Sequence, residues 1–313
     1  MRNFLGLCPM SRFRILATLG GLFCLLLLFT FMLYRSVVNL SGEYIDNRTV
    51  SIDIQNFSEY PTKYFGVVSR YPAHIIYQQY QPLMDYLNRN TDYHFQLKLS
   101  NSYSETVQQL ASGEVDVALL GSYMYATSKD EHDLIAILKP LNEDSLALRR
   151  SVLFTSKNSI IHKTDDLRGK KLALASKESF SGNWMPLHML RLNGITRDDL
   201  EDISNYPNHH TVIHKVLRGE YDAGAVRESV ARDFMDRGLR IFEYSDPLPT
   251  SPIVVTKQQD PDMVAAIINA LVHQDPARTD KAGPIDIMDG GTVVSYIETD
   301  GSEYNFIRRV TNE

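Results

Sequence analysis

Four short segments carry residue types that could do chemistry. Ser179-Phe180-Ser181-Gly182 places two hydroxyls beside a glycine where a helix should start. A helix N-terminus presents unpaired N–H groups and the positive end of its dipole. Ser179 and Ser181 there can hold a phosphate-like oxyanion alongside the backbone. They would equally serve as a plain N-cap with a glycine for close contact. Tyr123 and Tyr125 follow a buried strand at Gly121, and tyrosines at such a position either wall a pocket or fill the core. His209, His210 and His214 cluster, with His210 and His214 four apart on one helix face. That spacing could serve a metal, but no third ligand stands close by in sequence and no HExxH motif exists, so no metal is expected. A single histidine donating to an anion fits better, and a solvated helix start is the plainer alternative. Arg227 and Glu228 end the segment Tyr221-Asp222-Ala223-Gly224-Ala225-Val226. An arginine at a strand end can fork onto an oxyanion, or it can pair with Glu228 or Asp233 on the surface.

No catalytic set accompanies these residues. GxSxG, P-loop and GxGxxG signatures are absent from the sequence. The two cysteines, Cys8 and Cys24, both precede residue 25. The main body therefore has no thiol nucleophile, no disulfide and no Cys-ligated zinc.

The elements that must position these residues alternate strand and helix from about Lys63. Residues 64–68 form a short apolar run. Ile76, Tyr80, Leu83, Met84 and Leu87 then recur at helical spacing, with Pro82 expected to kink that helix or restart it. Phe95, Leu97 and Leu99 alternate as a strand, and residues 104–111 read as a helix capped near Ser104 and ended by Gly113. Residues 115–120 make a strand buried on both faces. Further strands are expected at 151–155, 172–175, 222–226, 239–244 and 252–256, and helices from 179 to about 192, at 212–217 and at 262–272. This alternation predicts open α/β sheets covered by helices. Such sheets bind ligands beyond the carboxyl ends of their strands. The candidate loops are therefore 69–72, which carries Tyr71, then 121–125, 175–182, 206–210 and 227–228.

Composition bounds the setting. The 313 residues include 43% hydrophobic and 22% charged, with a net charge of −6, which is ordinary for a globular chain. Residues 15–34 are 20 positions without a charge, preceded by Arg2, Arg12 and Arg14 and followed by Arg35. About 20 apolar residues suffice to cross a bilayer core. The positive-inside rule then keeps residues 1–14 in the cytoplasm and exports the body. A cleaved signal peptide would have a shorter apolar core and a small-residue cleavage site, so an uncleaved signal anchor is expected, with residues 35–60 as a stalk. Residues 1–35 hold four arginines and no acid, leaving 28 basic and 38 acidic residues in the exported part, a net of −10. That balance argues against nucleic acid and against lying on an anionic membrane surface.

Several stretches resemble one family. Phe65-Gly66-Val67-Val68-Ser69-Arg70-Tyr71, followed by Tyr80-Gln81-Pro82-Leu83-Met84-Asp85-Tyr86-Leu87, is similar to the opening of the phosphate/phosphite/phosphonate periplasmic binding proteins of ABC transporters. Leu110-Ala111-Ser112-Gly113-Glu114-Val115-Asp116-Val117-Ala118-Leu119-Leu120-Gly121 continues the likeness. So do Asp166-Leu167-Arg168-Gly169-Lys170, Gly219 to Val226, and Pro249-Thr250-Ser251-Pro252-Ile253-Val254-Val255. The resemblance spans roughly residues 63–309.

It implies a bilobal periplasmic-binding-protein fold of type II, an α/β clamp preceded here by one transmembrane helix. Lobe one would be 61–152 plus 250–313 and lobe two 153–249, with crossings near 153–155 and 247–251. The family's ligand-contacting serine-rich helix start matches Ser179 to Gly182, with Phe180 in place of its middle threonine. Its pocket tyrosine matches Tyr125, and its Gly-Ser-His segment matches Pro207-Asn208-His209. Arg227 stands where transporter members often carry an acid and looks more like the sensor-fused members. The implied ligand set is Tyr71, Tyr123, Tyr125, Ser179, Ser181, His209, Arg227 and Glu228, with no cofactor. The implied function is capture of a small oxyanion by a single-pass protein of the bacterial inner membrane, its main domain in the periplasm. The partner would be an ABC permease or, alternatively, a sensor kinase. An enzyme on the same scaffold is not expected, because no acid/base pair is evident.

Overall fold

The computed structural model describes residues 17, 19–32, 60–142, 144–272, 287–288, 292–293 and 295–312. Residues 19–32 form helix α1, whose leucines and phenylalanines are exposed. Among the described residues no helix is long and apolar enough to cross a membrane. Both ends of the expected 15–34 span lie outside the described residues, as do the expected cytoplasmic residues 1–14 and all of the stalk but residue 60.

Ser58–Glu313 make one compact unit. In chain order, β1 (Thr62–Val67), α2 (Ala73–Asn90), β2 (His94–Leu99), α3 (Tyr103–Ala111), β3 (Val117–Leu119), α4 (Ser122–Ser128) and β4 (Leu134–Leu141) come first. The short β5 (Leu148–Arg149) leads to β6 (Ser151–Ser156), β7 (Lys171–Leu174), α5 (Met185–Leu192) and β8 (Asp202–Asn205). Then follow α6 (His209–Leu217), β9 (Ala223–Arg227), α7 (Glu228–Arg232) and β10 (Leu239–Tyr244). The short β11 (Leu248–Pro249) precedes β12 (Ile253–Thr256), α8 (Pro261–Leu271), β13 (Ile287–Met288), β14 (Thr292–Val293), β15 (Ser295–Glu298) and α9 (Asn305–Asn312).

Two main sheets result, ordered β15-β4-β12-β3-β1-β2 and β10-β6-β9-β7-β8. In the first, β1 runs parallel to β2 and β3, while β12 is antiparallel to β3 and β4. In the second, β7 runs parallel to β8 and β9, and β6 is antiparallel to β9 and β10. The parallel strands β3 and β9 are buried along their whole length, as strands covered on both faces must be. Their carboxyl ends, with those of β1, β7 and β8, deliver the five candidate loops.

Local sequence explains most of these elements. Helix α2 buries Ile76, Tyr80, Leu83, Met84 and Leu87 on one face and runs unbroken through Pro82. Proline deprives the carbonyl four residues earlier of its donor, but Gln78 and Pro82 are both exposed, so water can supply the missing partner. Ser102, not Ser104, caps α3, its hydroxyl accepting from the Glu105 N–H. The passage between sheets runs through β5 and β11, which pair antiparallel. Strand β6 lies wholly in the second sheet, so the first crossing precedes residue 151 rather than falling near 153–155. The sequence pattern predicts none of β4, β8 and β15, nor the two-residue strands β5, β11, β13 and β14. In β8 all four residues are only half-buried, which leaves no apolar signal to read.

Candidate functional site

The serine segment forms as a helix start of unusual winding. The Ser179 hydroxyl accepts from the Gly182 N–H at 3.0 Å and so caps the turn. Residues Phe180–Trp184 take a wide π-type turn that flows directly into α5. Its own ladder has the Asn183 and Trp184 N–H groups donating to the Ser179 carbonyl at 3.1 and 3.3 Å, and turns of this kind recur at functional sites. Here Ala175 N donates to the Gly182 carbonyl at 2.9 Å. Asn205 Nδ2 donates to the Ala175 carbonyl (2.6 Å) and to Asn183 Oδ1 (2.8 Å), tying the exits of β7 and β8 to the turn. Ser179 and Ser181 are both buried. Phe180 sits edge-on to Phe306 at 5.8 Å, inside the apolar core. The position that the resemblance gives to a third hydroxyl is therefore filled by core.

His209 and Arg227 meet beside this turn. Asn208 caps α6 through its Oδ1, which accepts from the Thr211 N–H at 3.0 Å. That cap fixes His209 as the first helical residue. Arg227 ends β9, and its backbone N–H donates to His209 Nδ1 at 3.4 Å. Burial, followed by the charges of Arg227, Arg70, His210 and Arg149, holds the His209 pKa well below the usual histidine value. The ring is neutral at pH 7. With Nδ1 accepting, Nε2 carries the proton and is the donor.

Three further residues join this cluster. Arg70 follows β1 and is 4% exposed; Arg227 is 5% exposed. Tyr103 opens α3 and is buried, which raises its hydroxyl pKa. Arg70, the Ser179 side chain, Arg227 and Arg149 all act against that rise. The phenol is thus a proton donor at neutral pH in a region of positive charge. Arg149 reaches the same region from β5. The position of Arg70 in a strand-exit loop is a readable signal. Tyr103 and Arg149 have no motif, and only the tertiary fold brings them here.

The remaining expected residues each pack against neighbours of their own. Tyr71 lies edge-on to His210 at 5.5 Å, and His210 and His214 both pack on Phe234. Tyr123 stacks on Trp184 with centroids 5.2 Å apart and planes 26° from parallel. Tyr125 is buried under the C-terminal turn, its hydroxyl accepting from the Ala136 N–H at 3.3 Å and its ring edge-on to Tyr304. Glu228 bonds Arg232 on the same helix at 2.6 Å, the plain surface pairing with an unforeseen partner. Among the described residues no group of histidine, cysteine or carboxylate side chains is placed to hold a metal.

Two open α/β sheets joined by a double passage, with polar strand ends gathered in one buried cluster, define a periplasmic-binding-protein-like fold. The chain belongs to the ABC transporter, phosphonate, periplasmic substrate-binding protein family, whose model matches residues 65–304. A binding-protein component of a phosphonate ABC transporter from Pseudomonas aeruginosa is similar in structure, with a TM-score of 0.70 at 15% identity over 80% of this chain and 85% of that one. PhnD1 from Prochlorococcus marinus, in complex with methylphosphonate, gives 0.70 at 15% identity over 80% and 97%. XAC2383 from Xanthomonas citri, bound to ATP, gives 0.63 at 21% identity over 80% and 96%.

Proposed function

We propose that this protein is a solute-binding component that captures a small oxyanion of phosphonate, phosphate or phosphite type between its two sheets and presents it to an ABC permease. The convergence of the Ser179–Ser181 turn, His209 and Arg227 carries this reading. A buried oxyanion needs donors and charge together. The turn offers hydroxyls and N–H groups, neutral His209 and Tyr103 offer N–H and O–H, and the arginines offer charge. Methylphosphonate and ATP, the ligands of two similar structures, both present a phosphorus oxyanion.

The two lobes, expected at 61–152 plus 250–313 and 153–249 but with the first boundary moved ahead of β6, act as the two jaws. The charge-free run at 15–34 tethers the jaws to the inner membrane, with the main domain in the periplasm; its flanking arginines and the apolar surface of α1 support this. A second reading, a tethered sensor acting on a separate signalling partner, is favoured by one feature: Arg227 at a position where, by the resemblance, transporter members often carry an acid.

Calorimetric titration of the full chain in detergent micelles tests the site. A hydrogen bond to a charged group contributes about 1.5–3 kcal/mol. Ser181→Ala and Arg227→Gln are therefore each expected to weaken methylphosphonate or phosphate binding by roughly 10- to 100-fold, with little change in melting temperature. Wild-type affinity in both variants would refute the oxyanion site.

A further inference from the structure

The passage between the two sheets is wired more densely than a connection requires. Three consecutive residues bond in three directions. Arg149, on β5, donates from Nη1 to Ser251 Oγ at 2.7 Å and from Nη2 to Ser122 Oγ. Both serines are fully buried and lie on the first-sheet side, Ser122 opening α4 after β3 and Ser251 preceding β12. The Arg150 carbonyl accepts from the Glu228 N–H at 3.0 Å, one residue past Arg227. Ser151, fully buried, donates its hydroxyl to the Ser181 carbonyl at 2.6 Å. Its own N–H donates to Ser245 Oγ at 2.9 Å, on the chain leading to the return crossing. Because β5 pairs with β11, the two crossings are joined as one ribbon.

These bonds have a directional consequence. A guanidinium is a planar fork of five donors, and two anchors from different loops fix its plane. Its charge is felt at both His209 and Tyr103. Two residues on, Ser151 holds the Ser181 carbonyl of the turn whose Ser179 side chain acts on Tyr103 in the same cluster. A change at the ribbon therefore displaces a charge and the anion-binding turn together.

We propose that residues 149–151 make the passage part of the anion site: Arg149 supplies charge to the bound oxyanion from the ribbon itself, and Ser151 is the positioning residue for the Ser181 turn. Ligand capture and closure of the two sheets are coupled through this segment. The proposal rests on the oxyanion reading above.

The test uses the full chain in detergent micelles with inorganic phosphate and methylphosphonate as probes. Arg149→Gln is expected to weaken binding at least tenfold and to make affinity less dependent on ionic strength, because one cation is gone. Ser151→Ala is expected to weaken binding about 3- to 10-fold, the effect of one neutral hydrogen bond, and Ser151→Thr to restore it. A double Ser122→Ala, Ser251→Ala variant keeps the Arg149 charge but removes its anchors, and is expected to behave like Ser151→Ala. It carries the test if Arg149→Gln does not fold. Arg149→Gln binding both anions like wild type, or with an unchanged salt dependence, overturns the proposal. So does wild-type affinity in Ser151→Ala and the double variant together. In those cases wild type still binds and the oxyanion reading stands. Failure of wild type to bind either anion would refute both.

Discussion

Gly182 and His209 are in contact through the one face that glycine leaves open. A Cβ built on Gly182 would lie 2.8 Å from His209 Cε1 and 2.4 Å from the Ala175 Cβ. Neither neighbour can give way, because Ala175 belongs to the backbone leaving β7 and His209 is the capped first residue of α6. Gly182→Ala is therefore expected to be an overpacking defect costing about 1–3 kcal/mol and to reduce oxyanion affinity severely. Thermal melting and calorimetry on the same sample check both. A variant that melts and binds like wild type would show that the turn and His209 are not rigidly joined.

That contact also marks what the sequence could and could not disclose. The serine turn was legible because hydroxyls beside a glycine at a helix start have a local physical meaning. His209 and Arg227 were legible because each closes or follows a strand, where open α/β sheets gather ligands. Tyr103 and Arg149 were not. Each sits at an ordinary helix start or short strand, and its place in the cluster depends on which strands are neighbours. At Glu228 and Tyr125 a position near a strand exit does not reveal which way the side chain turns: Glu228 pairs with Arg232 and Tyr125 lies edge-on to Tyr304. Strand β8 carried too little apolar pattern to be seen, although its end supplies Asn205, which braces the turn.

Acid should destabilise the fold through its histidines. Burial depresses the pKa of both His209 and His210, with the neighbouring cations adding to it. In the unfolded chain these rings titrate near 6.5. Below that pH the unfolded state binds protons that the folded state does not, so stability falls as pH falls. Above it neither state is charged there and the contribution is complete. Urea unfolding at pH 8, 7, 6 and 5 should show a loss concentrated below about 6.5. His209→Gln should flatten that loss, and an unchanged slope would mean that His209 takes up its proton as readily in the native protein as in the unfolded chain.

Tyr123 and Trp184 supply a built-in reporter. Their rings stack between α4, which follows β3 of the first sheet, and the turn after β7 of the second. Trp184 is the only tryptophan in the chain. Its indole nitrogen is buried without a hydrogen-bond partner among the described residues. Opening of the jaws would separate the rings and give that N–H to water. Titration with methylphosphonate or phosphate should therefore produce a saturable blue shift of the emission. Tyr123→Ala should shrink the shift. Saturable binding by calorimetry without any spectral change would argue that the sheets do not move on capture.

Tyr125 is expected to matter for stability and not for binding. Burial raises its pKa first; the Ala136 N–H lowers it, and the charges of Glu303, Asp130 and Asp300 raise it again. Those are acidic neighbours, whereas the charges acting on Tyr103 are arginines. An anion would be repelled where Tyr125 sits and attracted where Tyr103 sits. The hydroxyl has a structural partner as well. Gly301, at φ +74°, passes so close that an added Cβ would lie 2.3 Å from it, and the Ala136 N–H donates to it. Tyr125→Phe leaves that buried N–H without an acceptor, a loss of about 1–3 kcal/mol. In a domain of this size each kcal/mol moves the melting temperature by roughly 2–4 °C. Oxyanion affinity should stay within about twofold of wild type, since less than 0.5 kcal/mol separates them at that ratio. Tyr103→Phe is the matched comparison, because it removes a phenol from among the arginines and should weaken binding tenfold or more while the fold persists. If the two variants exchange these behaviours, the pocket tyrosine is Tyr125, as the family resemblance implied, and the ligand lies nearer α4 than the arginine cluster.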